Sequence, residues 1–157
     1  MKLYLVQHGD AVSKDLDPER PLSDLGRHDL QRMAGFLGQL QVRVDRILHS
    51  GKTRAEQSAV ILAHALLPNG QIESVFGLAP NDPVEAFAAT LAARTGDTLL
   101  VGHLPFMARL AAWLLVGDAE RQLLVYRPGS VACLERNESG DWHLNWMLRP
   151  ELLQSGQ

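Results

Sequence analysis

Apolar and polar positions alternate along this chain in a pattern that switches between strand and helix. Leu3 to Gln7 is a short apolar run closing at His8-Gly9, which reads as a buried strand ending in a glycine turn. Residues 10 to 22 are polar, contain Pro18 and Pro21, and read as a loop. Ser23 is placed as a helix N-cap. Beyond it, Leu30, Met33, Ala34 and Leu37 recur at helical spacing, predicting an amphipathic helix of about 15 residues. Asp45 to His49 reads as a second strand, turned by Ser50-Gly51. A second helix follows from Thr53 to about Leu67, with Ala55, Ala59, Leu62, Ala63 and Leu66 on one face. Residues 71 to 76 form a weak strand, about 83 to 94 an alanine-rich helix, and Thr98 to Val101 an apolar strand ending at Gly102-His103. A fourth helix turns Met107, Leu110, Ala111 and Leu114 inward. The last forty residues read as three strands, the final two, Val131 to Glu135 and Trp142 to Met147, flanking a turn at Asn137 to Asp141. Trp142 and Trp146 are expected on one side of that hairpin.

This alternation predicts an α/β fold: a single three-layer domain with a mostly parallel mixed sheet and helices on both faces. The length of 157 residues suits one domain, expected over 1–152, with a frayed C-terminus over 153–157. A hydrophobic fraction of 46% against 21% charged residues excludes wholesale disorder. Cys133 is the one cysteine, which excludes an intrachain disulfide and a cysteine-based zinc site. Fifteen Lys and Arg against eighteen Asp and Glu leave a charge of −3 with no basic stripe, so no nucleic-acid partner is expected. The apolar run after Lys2 is too short for a signal peptide, and no run approaches a membrane span, so no membrane partner is expected and the default location is cytoplasmic.

Ligands of open α/β sheets bind beyond the carboxyl ends of the strands. Three strands end there in His8-Gly9, in Ser50-Gly51-Lys52-Thr53-Arg54 and in Gly102-His103, and Arg20 lies in the long loop after the first. Two histidines and several cations on one edge point to phosphoryl transfer. A neutral imidazole is a competent nucleophile, and guanidinium groups match the oxygens of the transferring group. Gly51-Lys52-Thr53 is not a nucleotide-binding loop, because Arg46 stands where that motif requires glycine. Zinc binding finds no support, with no HExxH spacing and Asp10 the only nearby acid. His28, His49, His64 and His143 match no motif and read as surface or satisfied side chains.

Leu5-Val6-Gln7-His8-Gly9-Asp10 resembles the Arg-His-Gly signature of the histidine phosphatase superfamily, which has the phosphoglycerate mutase-like fold. Arg20-Pro21-Leu22-Ser23 with Gly26 resembles its Arg-Pro-Leu-Thr segment. Ser50 to Ser58 is similar to the stretch in which Ser-Pro is followed by Arg-Ala-x-Gln-Thr, and Val101-Gly102-His103-Leu104-Pro105 to the second-histidine segment. Chain length and the His-Leu-Pro form fit the compact SixA-type phosphohistidine phosphatase branch. The resemblance implies that His8 is the phosphorylated nucleophile, that Arg20 and Arg54 clamp the phosphate, that His103 stabilises the transferring group, and that no metal or other cofactor is needed. The implied substrate is a phosphorylated protein bearing phosphohistidine, with inorganic phosphate as product.

Two departures qualify what the resemblance implies. Gln7 stands where the superfamily has arginine, and Lys52 is an added cation expected to supply the missing charge. Asp82 is the candidate acid for the leaving group, from the loop where larger relatives carry a carboxylate. Two alternatives therefore stay open: a phosphatase of small phosphorylated substrates, or a phospho-ligand binding module weakened in catalysis by Gln7.

Overall fold

The computed structural model describes residues 1–153. The strands are β1 (Lys2–Gln7), β2 (Arg46–His49), β3 (Ile72–Ser74), β4 (Thr98–Gly102), β5 (Val131–Arg136) and β6 (Trp142–Leu148). The helices are α1 (Asp24–Gln39), α2 (Thr53–Leu66), α3 (Val84–Leu91) and α4 (Phe106–Val116), and a short 3-10 turn covers Pro150–Leu153. One six-stranded sheet runs in the order β3-β2-β4-β1-β5-β6. Its first four strands are parallel, and β5 and β6 add antiparallel edges.

Both sheet faces are covered, as the near-continuous apolar strands require. Tyr4, Val6, Ile47, Leu99 and Val101 face α1 and α2, packing on Leu30, Met33, Leu37, Leu62 and Leu66. Leu3, Leu5, Leu48 and Leu100 face α3 and α4, packing on Phe87, Leu91, Phe106 and Leu110. Ser23 caps α1 as expected: its Oγ accepts the Gly26 N–H at 3.0 Å and donates to Asp10 Oδ2 at 2.6 Å, tying the helix start to the loop after β1. Gly26 makes this approach possible, since a Cβ there would run into the Asp10 carbonyl oxygen. No helix among the described residues is long and apolar enough to cross a membrane.

Four expectations need correction. The C-terminal part has two strands, not three, and residues 117–130 contain none. This segment packs on the α3/α4 layer instead, burying Ala119 and Tyr126, whose hydroxyl donates to the Leu5 carbonyl at 3.0 Å. The third helix ends at Leu91, short of the expected 94. There the Leu91 carbonyl accepts the Arg94 N–H at 3.1 Å in a turn, and the Arg136 guanidinium donates to the Leu91 and Arg94 carbonyls at 2.9 and 2.7 Å. Trp142 and Trp146 lie on opposite faces of the hairpin, the first against the α3/α4 layer and the second against Tyr4. A β-bulge between Cys133 and Leu134 leaves Asn145 as the extra residue, and one extra residue inverts the alternation of faces. Finally, Leu153 is not frayed: it packs on the α1/α2 layer, and its carbonyl accepts from Arg32. The rest of the segment expected to fray, residues 154–157, lies outside the described residues.

Candidate functional site

Strand register assembles the site. Gln7 of β1 lies opposite Gly102 of β4, and His49 of β2 opposite Val101. The residues that follow, His8, His103 and Ser50, therefore emerge side by side from three adjacent carboxyl ends. The His8 and His103 ring centroids are 5.0 Å apart.

The protonation form of His8 follows from its neighbours. Nδ1 lies 2.7 Å from the Gly9 carbonyl oxygen, which can only accept, so Nδ1 carries the hydrogen. Arg54 Nε, which can only donate, lies 3.3 Å from Nε2, so Nε2 keeps its lone pair. Burial, with the Arg54 and Arg20 charges acting in the same direction, pulls the His8 pKa from 6.5 to about 4. The ring is therefore neutral at neutral pH. The main chain around it is pinned: His8 N–H bonds the Gly102 carbonyl at 3.0 Å, and Gly9 N–H bonds Ser58 Oγ at 3.0 Å. Ser58 in turn donates to the Arg54 carbonyl at 2.7 Å, coupling the turn after His8 to the first turn of α2.

His103 is 2% exposed, with Nε2 2.6 Å from Ser50 Oγ. Burial first, then His8 and the charges of Arg54, Lys52 and Arg20, pulls its pKa to about 3. Arg20 adopts φ +48, a costly conformation outside glycine, and its Nε donates to the Val12 carbonyl at 3.1 Å. Together Gln7, His8, Arg20, Arg54 and His103 line a cleft of about 280 Å³, with Asp10, Ala11, Pro80, Leu104 and Pro128 completing the wall. Gln7 is buried, and its Oε1 has no hydrogen-bond partner.

Two expected residues are elsewhere. Asp82 does not line the cleft; its Oδ2 accepts the Ala79 N–H at 2.9 Å and closes a turn. Lys52 precedes α2 on the exposed surface and does not line the cleft either, although its charge reaches His103. The Lys52 charge lowers the His103 pKa together with those of Arg54 and Arg20. His49 is a satisfied histidine, as expected: it is 5% exposed, and its Nδ1 accepts the Gly51 N–H at 3.0 Å.

Sequence reasoning assigned no role to Ser50, Ser58 or Gln57. Gln57 accepts the Leu22 N–H at 2.8 Å and so fixes the loop that carries Arg20. The available signal was periodicity: Ser58 lies four residues after Arg54, on the same face of α2. Among the described residues, no group of three or more His, Cys, Asp and Glu is placed to hold a metal ion.

An unprotonated ring nitrogen in a cleft that Arg20 and Arg54 also line can attack a phosphorus atom, and the guanidinium groups can hold its oxygens.

No protein-family model matches the chain. Phosphohistidine phosphatase SixA of Escherichia coli is 29% identical over 155 residues, covering 96% of this chain and 94% of that protein. An uncharacterized protein of Picosynechococcus is 34% identical over 139 residues, covering 83% of each chain. The solved structure of the protein histidine phosphatase SixA complexed with tungstate superposes with a TM-score of 0.88 at 29% identity, over 98% of this chain and all of that one. With the fold, the paired histidines at the sheet edge and these likenesses in agreement, the chain belongs to the histidine phosphatase superfamily as a homologue of SixA.

Proposed function

We propose that this protein is a phosphohistidine phosphatase that works through a phosphorylated His8. The observation that carries the reading is the hydrogen bonding of His8, which commits Nδ1 to Gly9 and leaves the Nε2 lone pair in a cleft lined by Arg20 and Arg54. Nε2 attacks phosphorus, the phosphorus–nitrogen bond of the substrate breaks, and the departing imidazole takes a proton from water. Arg20, Arg54 and the Gln7 amide hold the phosphoryl oxygens, with His103 beside them. Water then attacks the phosphorus of phospho-His8, inorganic phosphate leaves, and His8 returns to its neutral form. No metal or other cofactor takes part in these steps.

The leaving group favours a phosphoramidate over an alkyl ester. An alkoxide needs a strong acid, and Asp10, the one carboxylate of the cleft wall, is engaged by Ser23 while Asp82 closes a turn. An imidazole leaves without such help. The cytoplasm is taken as the place of action.

Phosphate release from a phosphohistidine-bearing protein, compared between the wild type and His8→Ala, tests the reading. Release that vanishes in the variant supports it, and equal release by both overturns it.

A further inference from the structure

Ser50 has the geometry of a residue that sets the protonation form of His103. The two are neighbours because β2 pairs with β4, and Gly51 at φ +90 turns the chain away immediately afterwards. Ser50 Oγ is 2.6 Å from His103 Nε2 and also accepts the Lys52 N–H at 3.4 Å. The other ring nitrogen, Nδ1, is buried with no partner.

A neutral imidazole has one N–H and one lone pair, which leaves two arrangements. In the first, Nε2–H donates to Ser50, and a buried Nδ1 lone pair has nothing to accept from. A phosphoryl oxygen arriving there would meet lone pair against lone pair. In the second, the Ser50 hydroxyl donates to Nε2, with one of its own lone pairs occupied by the Lys52 amide. Nδ1–H is then a buried donor without an acceptor until an anionic oxygen enters. An unpaired buried donor is costly, and an incoming oxygen relieves that cost. Binding an anion completes the hydrogen bonding of the second arrangement only.

We propose that Ser50 is a positioning residue: by donating its hydroxyl hydrogen to Nε2 it holds His103 in the neutral Nδ1–H form, ready to donate to an oxygen of the transferring phosphoryl group. His103 lines the cleft and Ser50 does not, and the bond to Ser50 occupies Nε2, so Nδ1 is the ring nitrogen left without a partner. The hydroxyl works through the imidazole and does not touch the substrate. Its kinetic consequence rests on the phosphatase reading above, whereas the protonation form rests only on an anion binding in the cleft.

Heteronuclear NMR of the imidazole nitrogens in the protein saturated with inorganic phosphate at neutral pH reads the form directly. The wild type is expected to show His103 as a single Nδ1–H species. Ser50→Ala is expected to lose that single species, and Ser50→Thr, which keeps the hydroxyl, to restore it. In phosphate release, Ser50→Ala is expected to lower kcat about tenfold to a hundredfold with KM little changed, the scale of loss that follows small misplacement of a catalytic group, and Ser50→Thr to recover most of it. Wild-type His103 in the Nε2–H form, or an unchanged Nδ1–H species in Ser50→Ala, overturns the proposal. Wild type that shows the expected form and yet releases no phosphate supports the assignment for Ser50 and overturns the functional reading instead.

Discussion

Arg54 donates its Nε–H to His8 Nε2 across 3.3 Å, so the lone pair proposed as the nucleophile is held by the same cation that would bind the phosphoryl group. When substrate enters, phosphoryl oxygens are better acceptors for the guanidinium than an imidazole nitrogen, because they are charged. Arg54 then exchanges one partner for the other and frees Nε2 for attack. Arg54→Lys keeps the charge but loses the planar fork. It is expected to raise KM and lower kcat together, reducing kcat/KM by about a hundredfold, which is the scale of a lost oxyanion contact. Steady-state phosphate release by the variant checks this, and an unchanged kcat/KM counts against Arg54 as the clamp.

Gln7 contributes an uncharged amide where a cation is usual for the superfamily. Gln7→Ala removes a donor from the cleft wall and is expected to lower kcat by about tenfold to a hundredfold, below the full loss recorded for a strong oxyanion donor. Gln7→Arg adds a cation beside Arg20 and Arg54 and is expected to tighten inhibition by inorganic phosphate. Product-inhibition constants for the two variants decide the point. Weaker phosphate inhibition in Gln7→Arg would show that Gln7 does not face the bound group.

Lys52 is exposed and outside the cleft wall, so it is expected to act through its field and not by contact. Exposed charges are screened over about 10 Å at ordinary ionic strength. Lys52→Ala is therefore expected to raise KM by about two- to threefold at low salt, with the difference disappearing at high salt. A large loss of kcat that persists in salt would mean that Lys52 reaches the phosphoryl group after all.

Ser58 is fully buried and holds two backbone groups, the Gly9 N–H and the Arg54 carbonyl. Ser58→Ala strands the Gly9 donor, and a stranded buried donor costs about 1–3 kcal/mol. The expected outcome is a lower urea midpoint together with reduced kcat, because the Gly9 carbonyl also fixes the His8 ring. A variant with wild-type stability would show that water replaces the hydroxyl.

The two site histidines also set a pH dependence of folding. Both are harder to protonate in the folded chain, with values near 4 for His8 and near 3 for His103, mainly through burial. An unfolded histidine titrates near 6.5. Below that pH the unfolded chain binds more protons, so stability falls as the pH drops from about 6.5 towards about 3 and is fully retained above this window. Urea midpoints measured downward from neutral pH are expected to fall faster in the wild type than in His103→Gln. Parallel slopes would contradict the shift assigned to His103.

Much of this was readable from the chain because strand ends are. Leu3–Gln7 and Thr98–Gly102 are apolar runs closed by His8 and His103, and a parallel sheet puts such ends on one edge. Ser23 announced the start of α1 in its own sequence context. What escaped were features set by tertiary placement. The bulge at Asn145 flips the faces of Trp142 and Trp146 through one unpaired residue, which no alternation pattern can foresee. Asp82 carries a carboxylate in a plausible loop, yet spends it on the Ala79 amide three residues away. Ser50 gains its partner only because β2 happens to lie beside β4, fifty-three residues away in the chain.

The central claim is that the phosphoryl group passes through His8 Nε2. Rapid mixing of the enzyme with a phosphohistidine-bearing protein, followed by alkaline quench and mass spectrometry of the His8 peptide, tests it most directly. The account predicts a transient phosphorylated His8 that forms before phosphate is released and decays as release proceeds. Phosphate release with no phosphorylated His8 at any time, from a quench shown to preserve phosphohistidine, would contradict it.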